Sequence, residues 1–164
     1  LWEVGQDEGV WRWMRVRGDE SRAAFHAWFE SMRTPGTFPF ATVVDGVPLG
    51  HTSYLNLRAS DRVVEIGNTW LAQQAWGTGA NTEAKLLLLQ HAFEDEGFLR
   101  VEFKTDASNE RSCAALAALP AHFDGIFRKH MLVRGGERRD SAWYSVIDDD
   151  WPDVKAALLR RISG

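Results

Sequence analysis

The chain has 164 residues, a single cysteine and a net charge of −4, with acidic and basic residues interspersed. One cysteine excludes an internal disulfide framework, the mixed charge argues against a nucleic-acid-binding face, and no apolar run approaches the roughly 18 residues that span a bilayer. We therefore expect a single cytoplasmic domain over residues 1–164, with no nucleic-acid or membrane partner. The acidic excess mildly favours a cationic ligand.

The first half of the chain predicts two helices followed by three strands. Apolar residues recur at helical spacing over 8–14 and 19–32, and β-branched and aromatic residues mark strands over 37–45, 49–58 and 62–71. An Asp-Gly pair separates the first two strands, which predicts a hairpin.

Two of these strands carry candidate site residues. His51 and Tyr54 lie in the second strand, where they are predicted to line a ligand groove; His51 is also an alternative base, although a structural role is more common for a histidine in a strand. Gly67 and Asn68 interrupt the third strand, which predicts a bulge.

The most informative segment is the loop Gln74-Ala75-Trp76-Gly77-Thr78-Gly79-Ala80, which precedes an apolar helix over 81–94. Two glycines one residue apart permit positive φ, and the first turn of the helix adds free N–H groups and partial positive charge, so the loop is predicted to bind a diphosphate. No Lys or Arg follows within four residues, which excludes a P-loop, and Thr82 replaces the third glycine of a dinucleotide fingerprint. A purely structural glycine turn is the alternative.

The second half predicts a strand, a helix, a hairpin and a last helix. These elements are a strand over 100–105, a helix opened by Asn109-Glu110-Arg111-Ser112, strands over 123–133 and 138–147, and a last helix that Asp150-Trp151-Pro152-Asp153 starts, with Asp150 as its N-cap. Cys113 lacks the His and Asn pattern of a nucleophile, so we expect a packed, unreactive thiol. One cysteine and scattered histidines do not form a zinc site.

The order of the motifs resembles a known family. Glu-Ile-Gly, Trp-Gly-x-Gly-x-x-Thr-Glu-Ala, Val-Glu-Phe-Lys-Thr-Asp and Asn-x-x-Ser follow one another within about residues 40 to 147. Gln74-x-x-Gly77-x-Gly79 is similar to the coenzyme A pyrophosphate loop of the GNAT N-acyltransferases. The whole arrangement resembles the RimJ/RimL-type branch of that superfamily.

The resemblance implies a fold and a coenzyme. The fold is α/β (α+β), with a mixed, mostly antiparallel sheet that is splayed in a V and has helices on both faces. The V holds the pantetheine arm of acetyl-CoA, and no metal takes part. Relatives usually have an opening strand before the first helix, whereas this chain starts at Leu1 and enters a helix almost at once. We expect that strand to be missing or truncated.

The resemblance also assigns roles to residues. Glu65 is the expected general base and Ser112 the proton donor to the departing thiolate, while Asn68 joins His51 and Tyr54 in the acceptor groove. The coenzyme is expected to contact Trp70, Leu71, Gln74, Trp76, Gly77, Thr78, Gly79, Ala80, Asn81, Asn109 and Ser112. Two alternatives stay open: Glu65 could be a strand-face glutamate paired with Arg or Lys, and Asn109 and Ser112 could be ordinary helix-start residues.

The implied function is transfer of an acetyl group from acetyl-CoA directly to a primary amine. The resemblance favours the α-amine of a protein or peptide N terminus, and small-molecule amines are a second acceptor class. The alternative is a catalytically silent module that binds acyl-CoA as a sensor or scaffold. The tryptophan content and the last helix are consistent with a homodimer.

Overall fold

The computed structural model describes residues 1–163, and a six-stranded sheet is its central feature. The strands are β1 Phe38–Val44, β2 Val47–Arg58, β3 Val63–Leu71, β4 Arg100–Asp106, β5 His122–Val133 and β6 Glu137–Ile147. Their order is β1-β2-β3-β4-β6-β5, and every neighbouring pair is antiparallel except β3 and β4. The predicted mixed, mostly antiparallel sheet is confirmed.

The parallel strands β3 and β4 stay together only at their start. Their register runs from Val63 with Arg100 to Glu65 with Glu102. β3 continues to Leu71 and β4 to Asp106 without pairing further, so the sheet opens as the predicted V. The facing strand edges beyond this point have backbone groups that the β3–β4 ladder does not use.

The described residues form five α-helices. These are α1 Glu8–Trp11, α2 Arg22–Ser31, α3 Ala80–Gln90, α4 Glu110–Ala118 and α5 Trp151–Ser163. α1 is shorter than predicted, and α2 begins later because the Ser21 hydroxyl accepts the Ala24 N–H at 3.0 Å and caps the helix. None of the helices in residues 1–163 is both long and apolar enough to cross a bilayer.

Two apolar clusters cover the two faces of the sheet. The larger cluster joins one face to α3, α4 and α5, and includes Val64, Ile66, Phe103 and Tyr144. The other, which we call the N-terminal aromatic cluster, consists of Val10, Trp11, Phe25, Trp28, Met32 and Trp70. Because side chains alternate along a strand, Glu65 and Lys104 point away from α3, α4 and α5. We call their side of the sheet the Glu65 face.

The predicted bulge lies in β3. Ser53 pairs with Gly67 and His51 with Trp70, so two residues of β3 lie opposite one residue of β2. Asn68 has a φ of +50°, and its carbonyl is 2.9 Å from His51 Nδ1. Beyond the bulge, Trp70 points into the N-terminal aromatic cluster while Thr69 points towards α3.

Candidate active site

A cavity of about 1050 Å³ lies where β3 and β4 separate. Residues 65–71 of β3 and 103–105 of β4 border it, together with the loop before α3, the first turn of α4 and the turn between β5 and β6. The cavity therefore reaches from the predicted diphosphate loop on the α3 side to the Glu65 face.

The loop before α3 has the geometry of an anion cradle. Gly77 has a φ of +72°, and a Cβ placed on it would meet no protein atom within 4 Å. Gly79, the N-cap residue of α3, offers no side-chain acceptor, and within residues 1–163 the N–H groups of Gly77, Thr78 and Gly79 donate to no protein atom. Free N–H groups at a helix N terminus match the oxygens of a diphosphate.

The individual residues of the loop differ in position. Trp76, Gly77, Thr78 and Asn81 border the cavity, but Gln74, Gly79 and Ala80 do not. The Thr78 hydroxyl donates to the Ala75 carbonyl at 2.8 Å and accepts the Ala80 N–H at 3.2 Å, which fixes the turn.

Trp76 connects this loop to the end of β3 and to α4. Its Nε1 donates to the Leu71 carbonyl at 2.7 Å, and the Arg111 guanidinium carbon lies 3.9 Å from the centre of a Trp76 ring. This cation–π contact joins the loop to α4 and places a positive charge beside the cradle. Trp70 also borders the cavity, but its ring packs in the N-terminal aromatic cluster.

Glu65 borders the cavity and is also paired. Its side chain is 2% exposed, and Oε2 accepts hydrogen bonds from Lys104 Nζ at 2.9 Å and from Asn56 Nδ2 at 2.7 Å. A Cβ on Gly67 would approach Oε1 to 3.0 Å, so this second oxygen lies beside the backbone of β3 just past the split. The structure thus shows the ion pair that was the alternative to a base, and it leaves Glu65 at the border of the cavity.

The Asn109 side chain caps α4. Its Oδ1 accepts the Ser112 N–H at 3.1 Å, which is the helix-start role that the sequence left open. Both residues also border the cavity. The amide nitrogen of Asn109 and the hydroxyl of Ser112 make no hydrogen bond to the described residues, and both can serve a ligand. Cys113 is half-buried against the Asp106 carbonyl.

The structure does not bring His51 and Tyr54 to the cavity. His51 is buried against Trp28 of α2, with its ring bonded to the Asn68 carbonyl. Tyr54 lies on the other face of β2, where its hydroxyl donates to the Leu88 carbonyl of α3. Positions three apart in a strand face opposite sides, so the two residues cannot line one groove. Of the three predicted acceptor residues, Asn68 alone borders the cavity.

Lys85 is a cavity residue that the sequence analysis missed. It is 7% exposed on α3, and its ammonium donates to Thr69 Oγ1 at 2.8 Å and to Thr52 Oγ1 at 3.4 Å. Within residues 1–163 it has no carboxylate partner. Burial lowers the pKa of Lys85 to about 7, because the charged form loses its hydration.

We expect Lys85→Met to stabilise the protein, with a gain about 2 to 3 kcal/mol larger at pH 6 than at pH 9. The folded pKa lies below the unfolded value, so the penalty is fully present below pH 7 and fades as the pH rises towards 10. The Thr52 and Thr69 hydroxyls keep each other as partners at 2.8 Å. Urea unfolding of both proteins at the two pH values measures the difference. Lys85→Arg, which stays charged, should give no gain; an equal gain at both pH values would contradict the prediction.

The cavity is strongly cationic despite the acidic chain. In the described part of the chain its lining includes one acidic residue, Glu65, and seven basic ones. These are Arg15, Lys85, Lys104, Arg111, Arg134, Arg139 and Arg161. The net charge of the chain therefore does not describe the charge of the cavity lining. No group of three or more His, Cys, Asp or Glu residues within 1–163 is arranged to hold a metal ion.

Known proteins share this fold. A protein of T. thermophilus, named provisionally as an acetyltransferase, is 36% identical, with a TM-score of 0.91 over 98% of this chain and 88% of its own. A GCN5-related N-acetyltransferase from Brucella melitensis is 28% identical, with a TM-score of 0.92 over 99% and 76%. Mycobacterium smegmatis RimJ, in complex with CoA-disulfide, is 20% identical, with a TM-score of 0.82 over 98% and 82%, a likeness that shows the fold alone.

The sequence matches a family model as well. No curated protein matches the chain. The model for the acetyltransferase (GNAT) domain matches residues 1–121, which is more than half of the chain. The chain therefore belongs to the GNAT acetyltransferase family.

Proposed function

We propose that this enzyme transfers the acetyl group of acetyl-CoA directly to a primary amine, and that the acceptor is the α-amine of a protein or peptide N terminus. The observation that supports the proposal most strongly is the continuous cavity. It joins a diphosphate cradle on the α3 side to a buried carboxylate, Glu65, on the opposite face. Donor and acceptor can therefore meet inside the V.

The coenzyme supplies an acyl group activated as a thioester, and the chain supplies the remaining functions. Beyond Glu65, the edge of β3 that faces β4 presents backbone N–H groups that can stabilise negative charge on a carbonyl oxygen. Glu65 is proposed to take the proton of the attacking amine and to release it to solvent. The Ser112 hydroxyl is proposed to give a proton to the departing sulfur as it regains one from solvent, so that the products are the amide and the free thiol.

The ionisation of the acceptor favours an α-amine over a lysine side chain. An α-amine with a pKa of 7.7–8.0 is roughly a tenth neutral at pH 7, whereas a lysine near 10.4 is almost wholly charged. Glu65 borders the cavity and is held by Lys104 at 2.9 Å. A weak base is sufficient for an acceptor that is partly neutral.

The test is thiol release from acetyl-CoA with a panel of peptides that differ at the N terminus, alongside polyamines. We expect release with peptides that have a free N terminus and none with the same peptides blocked at that position. Mass spectrometry identifies the acetylated atom. Release with polyamines and not with peptides would reassign the acceptor, and coenzyme binding without any release would leave a silent binding module. Assignment to the RimJ/RimL-type branch stays a prediction.

A further inference from the structure

Arg139 is a buried guanidinium without a partner. It lies on β6 and is 8% exposed, yet it borders the cavity. Within residues 1–163 its Nε makes no hydrogen bond, and no carboxylate oxygen lies within 4 Å of its side chain. Buried cations in folded proteins are normally paired, because an unpaired buried charge has lost its hydration without compensation. An anionic ligand would supply the missing partner.

The nearby carboxylates are already engaged. Asp106 accepts the Ser108 N–H at 3.0 Å and lies 3.8 Å from the Arg134 guanidinium. Glu65 is held by Lys104. Burial is the main cause that lowers the pKa of Arg139; Asp106 and Glu65 oppose this shift, and Arg134 and Arg15 add to it. Neither carboxylate lies within 4 Å of the Arg139 guanidinium, which is therefore open to an anion from the cavity.

The position of Arg139 separates this anion from the coenzyme's phosphates. Ala142, Tyr144 and Val146 of β6 pack towards α3, α4 and α5, so strand alternation places Arg139 on the Glu65 face. The cradle at Gly77 lies on the α3 side, where Arg111 adds its own charge. An anion at Arg139 therefore belongs to whatever approaches Glu65.

We propose that Arg139 binds a carboxylate of the acceptor, so that the substrate is an amine that also bears a carboxylate. This inference rests on the proposed function, because it describes the acceptor of the same reaction. A planar guanidinium matches a carboxylate through two parallel N–H bonds. Peptides with an acidic residue next to the N terminus, and free amino acids, both offer that combination.

The test compares matched acceptors and matched variants. One pair of acceptors is a peptide that begins Ser-Asp and a peptide that begins Ser-Asn; the other is an amino acid and its amide. The members of each pair differ in the negative charge of a carboxylate. A phosphoserine peptide distinguishes phosphate from carboxylate. We expect kcat/KM to be about tenfold or more higher for the carboxylate member of each pair. Arg139→Gln should remove that preference through KM for the acceptor, while KM for acetyl-CoA and the neutral acceptors stay within about twofold.

Arg138→Gln is the control, since Arg138 is exposed on the opposite face of the same strand. It should leave the preference intact. Because the Arg139 charge is unpaired in the free protein, Arg139→Gln should not lower the thermal midpoint, which separates a ligand site from a structural arginine. An equal preference in the wild type and Arg139→Gln, or no preference in either, would overturn the proposal. A phosphoserine peptide preferred over the aspartate peptide would also reject a carboxylate.

A binding measurement keeps this inference separate from the proposed function. Glutarate, which has carboxylates and no amine, is titrated calorimetrically into the protein saturated with coenzyme A, with glutaramide as the neutral match. Binding of glutarate that Arg139→Gln abolishes would support the anion site even if no amine were acetylated. Acetylation of peptides without glutarate binding would retain the function and refute the site.

Discussion

Replacing Gly77 by valine should abolish coenzyme binding, with an increase in Kd for coenzyme A of about 100-fold or more. Gly77 has a φ of +72°, and the direction of its missing Cβ is open. Valine is strained at this φ, and relaxing the strain would turn the loop N–H groups away from the diphosphate. The valine methyl groups would also occupy the space that the ligand needs. Isothermal titration calorimetry with coenzyme A measures the loss.

Gly46→Val provides the matched control. Gly46 has a φ of +79° in the turn between β1 and β2, and a Cβ there also meets nothing within 4 Å. The backbone strain is therefore the same, but the cradle is intact. We expect Gly46→Val to lower the thermal midpoint and to bind coenzyme A as the wild type does. If Gly77→Val bound coenzyme A as tightly as Gly46→Val, the loop would be a structural turn, the alternative that the sequence left open.

Features encoded by adjacent residues were predictable from the sequence. The cradle depends on two glycines and the helix that follows, and the strand boundaries were predicted to within two residues because alternation and β-branched residues are local signals. The bulge at Asn68 followed from the Gly-Asn interruption of β3. These elements form the proposed coenzyme site, which is why the donor half of the reaction could be proposed from the sequence.

Features that depend on long-range register could not be predicted. Lys104 reaches Glu65 from 39 residues away, and only the pairing of β3 with β4 places them together. Arg138 and Arg139 look equivalent in the sequence, but both pair with β5, and the alternation of side chains along β6 buries one and exposes the other. Net charge sums the whole surface, so it gave no indication of a cavity lined by seven basic residues.

His51 and Tyr54 show a different kind of error. Both were assigned to a groove because they are polar side chains in a strand near the expected site. Their spacing of three already places them on opposite faces of β2, and the structure buries one against Trp28 and the other against α3. His51 instead stabilises the bulge, because its Nδ1 lies 2.9 Å from the Asn68 carbonyl oxygen.

Replacing Glu65 by glutamine should lower kcat by about 100-fold at pH 7 for an α-amine acceptor, with KM for acetyl-CoA changed by less than about threefold. The amide cannot take the proton of the attacking amine. The deficit should shrink as the pH rises to 9, because most of the acceptor is then neutral in solution and needs less help. Steady-state kinetics of the wild type and the variant between pH 6 and 9 measure both effects.

Glu102→Gln and Lys104→Met distinguish a base from a structural ion pair. Glu102 is in register with Glu65, is similarly buried, and is paired with Arg58 at 3.0 Å and Arg100 at 2.9 Å, but it does not border the cavity. A base at Glu65 predicts that Glu102→Gln keeps kcat within about twofold. If Glu65 serves only to neutralise Lys104, Lys104→Met and Glu65→Gln should lower activity alike, with pH profiles parallel to the wild type. Parallel pH profiles would show that Glu65 is not the base. The fraction of the acceptor amine that is neutral in solution would then limit the rate.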